Sequence, residues 1–357
     1  MSTTLAELPP LQTGRAAWLG PEMAKRTDWI VELAPGQIAE LEAAARPFVA
    51  SGDAALTALA HLDPSRFPLP TLGPLLVSLR EELLRGRGFF LLRGLPVQRY
   101  GRLESAAIFL GLGAHLGRAR SQNAKGHVLG HVYDLGLRSD DPNVRIYQTR
   151  ERQTFHTDSC DVVGLLCLQE ARRGGDSLLV SALSIFNEMR TRSPELLARL
   201  LLPMPHDRRG EVPEGMKPFF EIPVFSWLDE RLTVFYQRQY FESAQRFPEA
   251  PRLTAEDRLA LDRFDALAGD PRLHMSMRLR PGDMQFVHNH DLLHDRTGFE
   301  DWPEPERRRH LLRLWLACPG ARRLPRAFEA RYGSVEVGDR GGIRVPGTRM
   351  RVPLTPE

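Results

Sequence analysis

Thr154-Phe155-His156-Thr157-Asp158 is answered far downstream by Asn289-His290-Asp291-Leu292-Leu293-His294. In an extended segment alternate residues point the same way, so His156 and Asp158 can reach one point in space. An imidazole and a carboxylate so placed are two thirds of a 2-His-1-carboxylate set, which leaves open positions on Fe(II). Taken alone, His-x-Asp also suits a surface turn closed by an Asx-type bond. The third ligand has three candidates, His288, His290 and His294.

Around these stretches the chain reads as short strands with helices before and between them. Apolar residues at helical spacing predict helices over 36–49, 70–85 and 102–116, and a capping box, Thr254 with Asp257, opens one over 254–268. A helix over 182–202 breaks at Pro194. Gly88-Phe-Phe-Leu-Leu-Arg-Gly94 is a short apolar run between glycines and reads as a buried strand. Further strands are expected over 144–150, 163–168, 177–180, 219–225, 232–236, 273–279, 284–288 and 311–317. This pattern predicts a mixed α/β chain with an antiparallel β core and helical decoration.

Composition narrows the class. The 357 residues are 42% hydrophobic and 26% charged, ample for a packed core and wrong for wholesale disorder. No apolar run approaches a membrane span, and the first residues carry no basic-then-apolar leader, so no membrane partner and no secretion are expected. Cys160, Cys167 and Cys318 form no CxxC pair, which fits a reducing cytoplasm. A net charge of +3 gives no footprint for nucleic acid. No composition break marks a linker. The expectation is one oxygenase domain over 1–357: an N-terminal arm and helices over 1–87, a core with helical and lid insertions over 88–317, and a tail over 318–357.

Three further motifs sharpen the His-x-Asp signal. Gly174-Gly175-Asp176-Ser177 opens a strand, His294 closes the downstream stretch, and Arg309 follows fifteen residues later within Arg309-His310-Leu311-Leu312-Arg313. In this order they resemble the taurine dioxygenase-like (TauD/TfdA) family of Fe(II)- and 2-oxoglutarate-dependent oxygenases. The resemblance runs from about residue 88 to 317. It implies a double-stranded β-helix, or jelly roll, with the metal inside its mouth. It implies His156, Asp158 and His294 as catalytic metal ligands, with Fe(II), 2-oxoglutarate and O2 as cofactors. Arg309 would pair with the far carboxylate of 2-oxoglutarate. Ser177 stands where the family has a threonine whose hydroxyl assists that arginine. Arg313 matches a second arginine that faces the substrate's anionic group in several relatives. Gln122 and Asn123 lie where relatives line the pocket, and read equally as loop amides bonded to backbone.

The chemistry suits those roles. An arginine fork gives a carboxylate two parallel charge-assisted bonds and stays charged, and a serine hydroxyl can donate one more. Asp158 keeps the carboxylate that related halogenases lack, so hydroxylation is the expected outcome, with release of succinate and CO2. The substrate is expected to be a small molecule, with an anionic one suiting Arg313. A noncatalytic metal-binding sensor and an oxidative demethylase of alkylated nucleic acid are the alternatives. The insert over 203–230 reads as a lid or as a homo-oligomer contact.

Overall fold

The computed structural model describes residues 8–138 and 144–357. Of the expected N-terminal arm, residues 1–7 lie outside the described residues.

Two sheets form the core. The larger runs in the order Ile30–Glu32, Phe89–Arg93, Met284–His288, Val162–Gln169, His310–Ala317 and Arg118–Ala119, with Leu129–Tyr133 also paired to His310–Ala317. The smaller runs His274–Met277, Ser177–Ser181, Leu292–Arg296, Gln153–His156. Pairing is antiparallel apart from Ile30–Glu32 on Phe89–Arg93, which is parallel. Neither sheet closes on itself.

The period of two sorts every strand into two faces. Phe89, Leu91, Val163, Cys167, Val287, Leu311 and Trp315 of the larger sheet share one apolar cluster with Leu179, Met275 and Leu292 of the smaller. Their neighbours Phe90, Leu92, Leu166, Phe286, Leu312 and Leu314 point outward, under the helices Pro35–Ala50, Leu72–Arg85 and Arg102–Leu116. Leu178, Val180 and Leu293 leave the back of the smaller sheet for Ala182–Arg192, Pro194–Leu200 and Ala255–Ala268. Both sheets are thus covered on both faces, so few strands show an apolar-polar alternation. The helix Arg102–Leu116 is apolar all round for the same reason, with Ala106, Ile108, Phe109 and Leu112 fully buried. Gly164 interrupts its strand because a Cβ there would sit 2.7 Å from the Phe286 ring.

The capping box forms as expected: Thr254 Oγ1 accepts from the Asp257 N–H, and the Asp257 carboxylate accepts from the Thr254 N–H at 3.0 Å. The N-terminal arm lies against the body, with the Trp18 indole donating to the Arg87 carbonyl and the Ser184 hydroxyl to the Trp18 carbonyl.

One expected strand fails. Residues 144–150 form a 3-10 turn, Ile146–Gln148, instead. The Gln148 side chain accepts from the Arg145 N–H, and Thr149 Oγ1 donates to the Ile146 carbonyl. These local bonds take up the polar groups that a ladder would have used. Leu129–Tyr133 and Leu292–Arg296 are strands that the pattern did not announce.

Candidate active site

Inward parity decides which polar side chains enter the space between the sheets. On the segment before and along His310–Ala317, Leu311 and Trp315 face inward, so Arg309 and Arg313 do too. On Leu292–Arg296 it is His294 and Arg296, and on Gln153–His156 it is His156, while Phe155 packs outward. The register places His294 directly opposite His156. Asp158 follows two residues later, past the end of its strand.

The result is a tight, buried set. Ligand atoms of His156, Asp158 and His294 all lie within 4.8 Å of one another. The two imidazole rings are 4.1 Å apart between centroids. His156 Nδ1–H donates to the Thr154 carbonyl at 2.8 Å, which leaves Nε2 as the lone-pair nitrogen. The Gln153 amide donates to that lone pair at 2.8 Å. His294 Nδ1 is buried and has no hydrogen-bond partner among the described residues. Asp158 is held from two sides: its N–H donates to Asn289 Oδ1, and the Trp315 indole donates to its Oδ2 at 2.8 Å.

Electrostatics sharpen the donor set. Burial pushes His156 below its ordinary value, and it pushes His294, crowded by His156, down to about 3. Burial alone would raise Asp158. The Arg313 guanidinium, the two imidazoles and the Trp315 bond outweigh it and hold the carboxyl below its usual range. Two neutral imidazoles and an ionised carboxylate are what a divalent cation requires. The residues present therefore fit a metal ion with open positions.

The rival histidines are engaged elsewhere. His288 Nδ1 lies 2.8 Å from Asp291, and His290 Nε2 lies 2.9 Å from Asp161. Both carboxylates are also bound by arginines, Arg322 and Arg340.

Two cavities flank the histidine pair and share Gln153 and Arg313. The first holds His156, His294, Ser177, Arg296 and Arg309 among apolar walls such as Leu165 and Leu311. Arg309 is 5% exposed and forms no ion pair among the described residues. Its Nη2 reaches the Gly175 carbonyl at 3.4 Å, and its Nη1 is buried without a partner. Burial has lowered its pKa to about 10. A buried guanidinium in that state is poised for an incoming carboxylate. Gly175 makes the space: at φ 76° it adopts a left-handed conformation, and a Cβ there would sit 2.8 Å from Arg309 Nε. Ser177 lines this cavity, but its hydroxyl donates to Gln285 Oε1 at 3.0 Å and not toward Arg309.

The second cavity lies over Asp158 and Trp315. Arg313 borders it with its charge answered in part: Nη1 is 3.8 Å from Asp158, Nε donates to Gln122 Oε1 at 2.7 Å, and Tyr147 lies under the guanidinium. The carboxylates Asp283 and Asp295, nearby in sequence, are taken by Arg93 and Arg152. Gln122 also ties down the Arg313 carbonyl. Asn123 turns the other way: its Oδ1 accepts from the Lys125 and His127 N–H groups within its own loop, and it lines a separate small cavity. The 203–230 insert folds as a hairpin of Pro203–Asp207 on Phe219–Pro223, and Arg209 of that hairpin reaches the second cavity. Trp302 is half-buried under Arg307, 3.7 Å above its ring.

Several site residues gave no motif. Gln285 is buried in an otherwise apolar inward strand, and that misplaced polarity was its only signal. Trp315 looked like core, and Gln153 like an ordinary edge residue.

Comparisons with known proteins identify a family and a shared fold. A family model described as taurine catabolism dioxygenase TauD, TfdA family matches residues 54–315. The chain is 34% identical over 328 residues to FR-33289 synthase of Streptomyces rubellomurinus, covering 90% of this chain and 95% of that protein. It is 32% identical over 322 residues to the taurine hydroxylase-like protein SAT17 of Stachybotrys chartarum, covering 85% and 81%. Among solved structures, an asparagine oxygenase in complex with Fe(II), 3-hydroxyasparagine and succinate superposes with a TM-score of 0.61 at 18% identity, covering 81% of this chain and 93% of that one. That likeness identifies the shared fold, a double-stranded β-helix.

Proposed function

Because the chain belongs to the taurine catabolism dioxygenase TauD, TfdA family and is an Fe(II)- and 2-oxoglutarate-dependent dioxygenase, we propose that His156, Asp158 and His294 hold its iron and Arg309 its cosubstrate. The observation that carries this reading is the unpaired, buried Arg309 guanidinium in one cavity with both imidazoles. With dioxygen, iron and 2-oxoglutarate supply an oxidation that places oxygen on a substrate C–H bond and releases succinate and CO2.

The residues of the chain bind, orient and exclude water. Thr154 fixes the His156 tautomer, and Trp315 holds one Asp158 oxygen in place, leaving the other for the metal. Arg309 draws the far carboxylate into a wall of Leu165, Leu279 and Leu311, where water competes poorly for it. Ser177 orients Gln285 on the same wall and can turn its hydroxyl to the carboxylate. Arg313 and Gln153 form the partition between cosubstrate and substrate, and Gln122 holds Arg313 from the substrate side. The substrate is a small anionic molecule that enters over Asp158. Asn123 supports the Gln122 loop through its backbone bonds. The whole chain acts as one oxygenase domain, in the cytoplasm, where its three buried cysteines stay as free thiols.

The test is cosubstrate binding by isothermal titration under anaerobic conditions. Arg309→Ala is expected to weaken 2-oxoglutarate binding by two orders of magnitude or more, on the order of 3–5 kcal/mol for a buried carboxylate stripped of its partner. Ser177→Ala should cost roughly 0.5–1.5 kcal/mol, the worth of a neutral hydrogen bond. Equal losses from the two variants would contradict the assignment. A screen for substrate-stimulated succinate release, read by mass spectrometry, then identifies the product.

A further inference from the structure

The second cavity carries more positive charge than its surroundings answer. Arg145, Arg209, Arg313 and Arg331 all border it. Among the described residues, two carboxylates face these four guanidiniums. Asp158 lies 3.8 Å from Arg313. Glu211 is shared, 2.5 Å from Arg145 and 3.9 Å from Arg331. Asp207 does not add to the count, because it pairs with Arg246 at 3.1 Å and accepts from the Arg209 backbone N–H. Bound iron and 2-oxoglutarate leave the balance unchanged, since a divalent cation and a dicarboxylate cancel.

Arg209 is the most exposed to this imbalance. It makes no ion pair among the described residues. Its Nη2 donates to the Val144 carbonyl at 3.3 Å, and its Nε is buried without a partner. It also sits at φ 54°, the left-handed region that disfavours residues with a Cβ. Gly210, at φ 78°, takes the next left-handed position of the same turn without strain. A strained arginine aimed at a cavity indicates that its position is used. Around it stand neutral hydrogen-bonding groups, with the Tyr240 hydroxyl on Arg145 and the Tyr240 ring under both Arg145 and Arg209.

We propose that Arg145, Arg209 and Arg331 form a binding site for a doubly charged tetrahedral phosphorus oxyanion, a phosphate monoester or a phosphonate, carried by the substrate. The proposal rests on the oxygenase reading above and names its substrate class. Two surplus positive charges match a dianion, whereas a carboxylate or sulfonate would leave one unanswered. Three oxygens on one phosphorus can accept from three guanidinium forks at once. Arg313 is not part of this site, since Asp158 and Gln122 already occupy it. The anion would thus anchor the far end of the substrate and leave its carbon chain to reach back toward Asp158.

Three near-isosteric probes test this: propylphosphonate, ethyl phosphate and propanesulfonate, titrated by calorimetry into the anaerobic Fe(II)- and 2-oxoglutarate-loaded protein. Both phosphorus probes should bind at least roughly tenfold more tightly than the sulfonate, as expected for an added charge-assisted interaction. The ethyl phosphate affinity should fall as pH drops below its second ionisation, about pH 6. Whichever phosphorus probe binds tighter tells whether the bridging atom is oxygen or carbon. Arg209→Gln should weaken both by roughly 10–100-fold, with Arg209→Lys recovering part of the loss, while Fe(II) and 2-oxoglutarate affinities stay unchanged. Equal binding of sulfonate and phosphonate overturns the proposal, as does an Arg209→Gln variant that binds propylphosphonate like the parent. If propylphosphonate discriminates but neither Fe(II) nor 2-oxoglutarate binds, the iron-site reading fails and the anion site stands.

Discussion

His156, Asp158 and His294 form one buried histidine–aspartate cluster; His290 and Asp161, three residues from Asp158, form another with Arg340. Both pair histidine with aspartate, and both are buried. In the second cluster every strong acceptor site is used. Asp161 accepts from His290 at 2.9 Å, from Arg340 Nε at 2.9 Å and from the Cys318 N–H at 2.9 Å, and Arg340 is fully buried. In the first cluster Arg313 stands off at 3.8 Å, Asp158 and His294 each border a cavity, and the His156 lone pair meets only the neutral Gln153 amide. The contrast shows that burial and a histidine–carboxylate contact do not by themselves make a metal centre. A guanidinium bound directly to the carboxylate closes the cluster, because it neutralises the charge and occupies the geometry that a cation would need.

The contrast can be broken most directly through stability. Asp161→Asn leaves Arg340 buried without its counter-charge and is expected to cost roughly 3–5 kcal/mol. Urea unfolding of the metal-free protein measures it. His294→Gln breaks no hydrogen bond shorter than the 3.8 Å approach to Asp158 and should cost clearly less. Equal losses would mean that the two clusters are structurally equivalent.

Metal affinity should divide them the other way. His156→Ala, Asp158→Ala and His294→Ala are each expected to lower Fe(II) affinity by at least about 100-fold, since losing even a supporting partner costs about 10–100-fold. His290→Ala, measured on its folded fraction by competition with a chelator, should bind Fe(II) within about tenfold of the parent. The reverse outcome would transfer the third ligand to His290.

A smaller effect is expected at the supporting layer. Trp315→Phe removes the 2.8 Å bond to Asp158 Oδ2 and keeps most of the packing. About a tenfold loss in Fe(II) affinity is expected, with the melting temperature of the metal-free protein little changed. No loss would show that Asp158 is held sufficiently by the bond of its N–H to Asn289.

The smallest effect lies in the acid limb of stability. Burial pushes His290 down to about 3, and the Asp161 charge only partly offsets it. The folded pKa lies below the unfolded value of about 6.5. The unfolded chain therefore takes up the proton first, and this contribution is complete above about pH 6.5 and drains away toward pH 3. His290→Gln should flatten that limb by up to one proton in urea titrations of the metal-free protein. An unchanged slope would mean that other groups dominate the acid transition.

Much of the architecture was legible from local pattern. The helix Ala255–Ala268 announced itself by its capping box, Met284–His288 by an apolar run, and the break between Ala182–Arg192 and Pro194–Leu200 by Pro194. What failed was alternation read without a partner. Residues 144–150 alternate, yet they enter no sheet ladder among the described residues, and Gln148 and Thr149 satisfy the backbone locally. Leu129–Tyr133 hid in a glycine-flanked stretch and owes its extended form to pairing with His310–Leu314.

The site divides along the same line. His156 and Asp158 are two residues apart, so their convergence is a property of extended backbone that any reader of the chain can derive. The order of Gly-Gly-Asp-Ser, His294 and Arg309 carried the family and with it the chemistry. Which cluster stays open was beyond local pattern. It depends on Arg340 and Arg322 returning from the C-terminal tail to Asp161 and Asp291, while Asp283 and Asp295 give their charge to Arg93 and Arg152. The surplus at Arg145, Arg209 and Arg331 arises likewise, from three separate segments meeting at one cavity. Charge pairing in a low-dielectric interior is a matter of distance through space, and the spacing of residues along a chain says little about it until the sheets have packed.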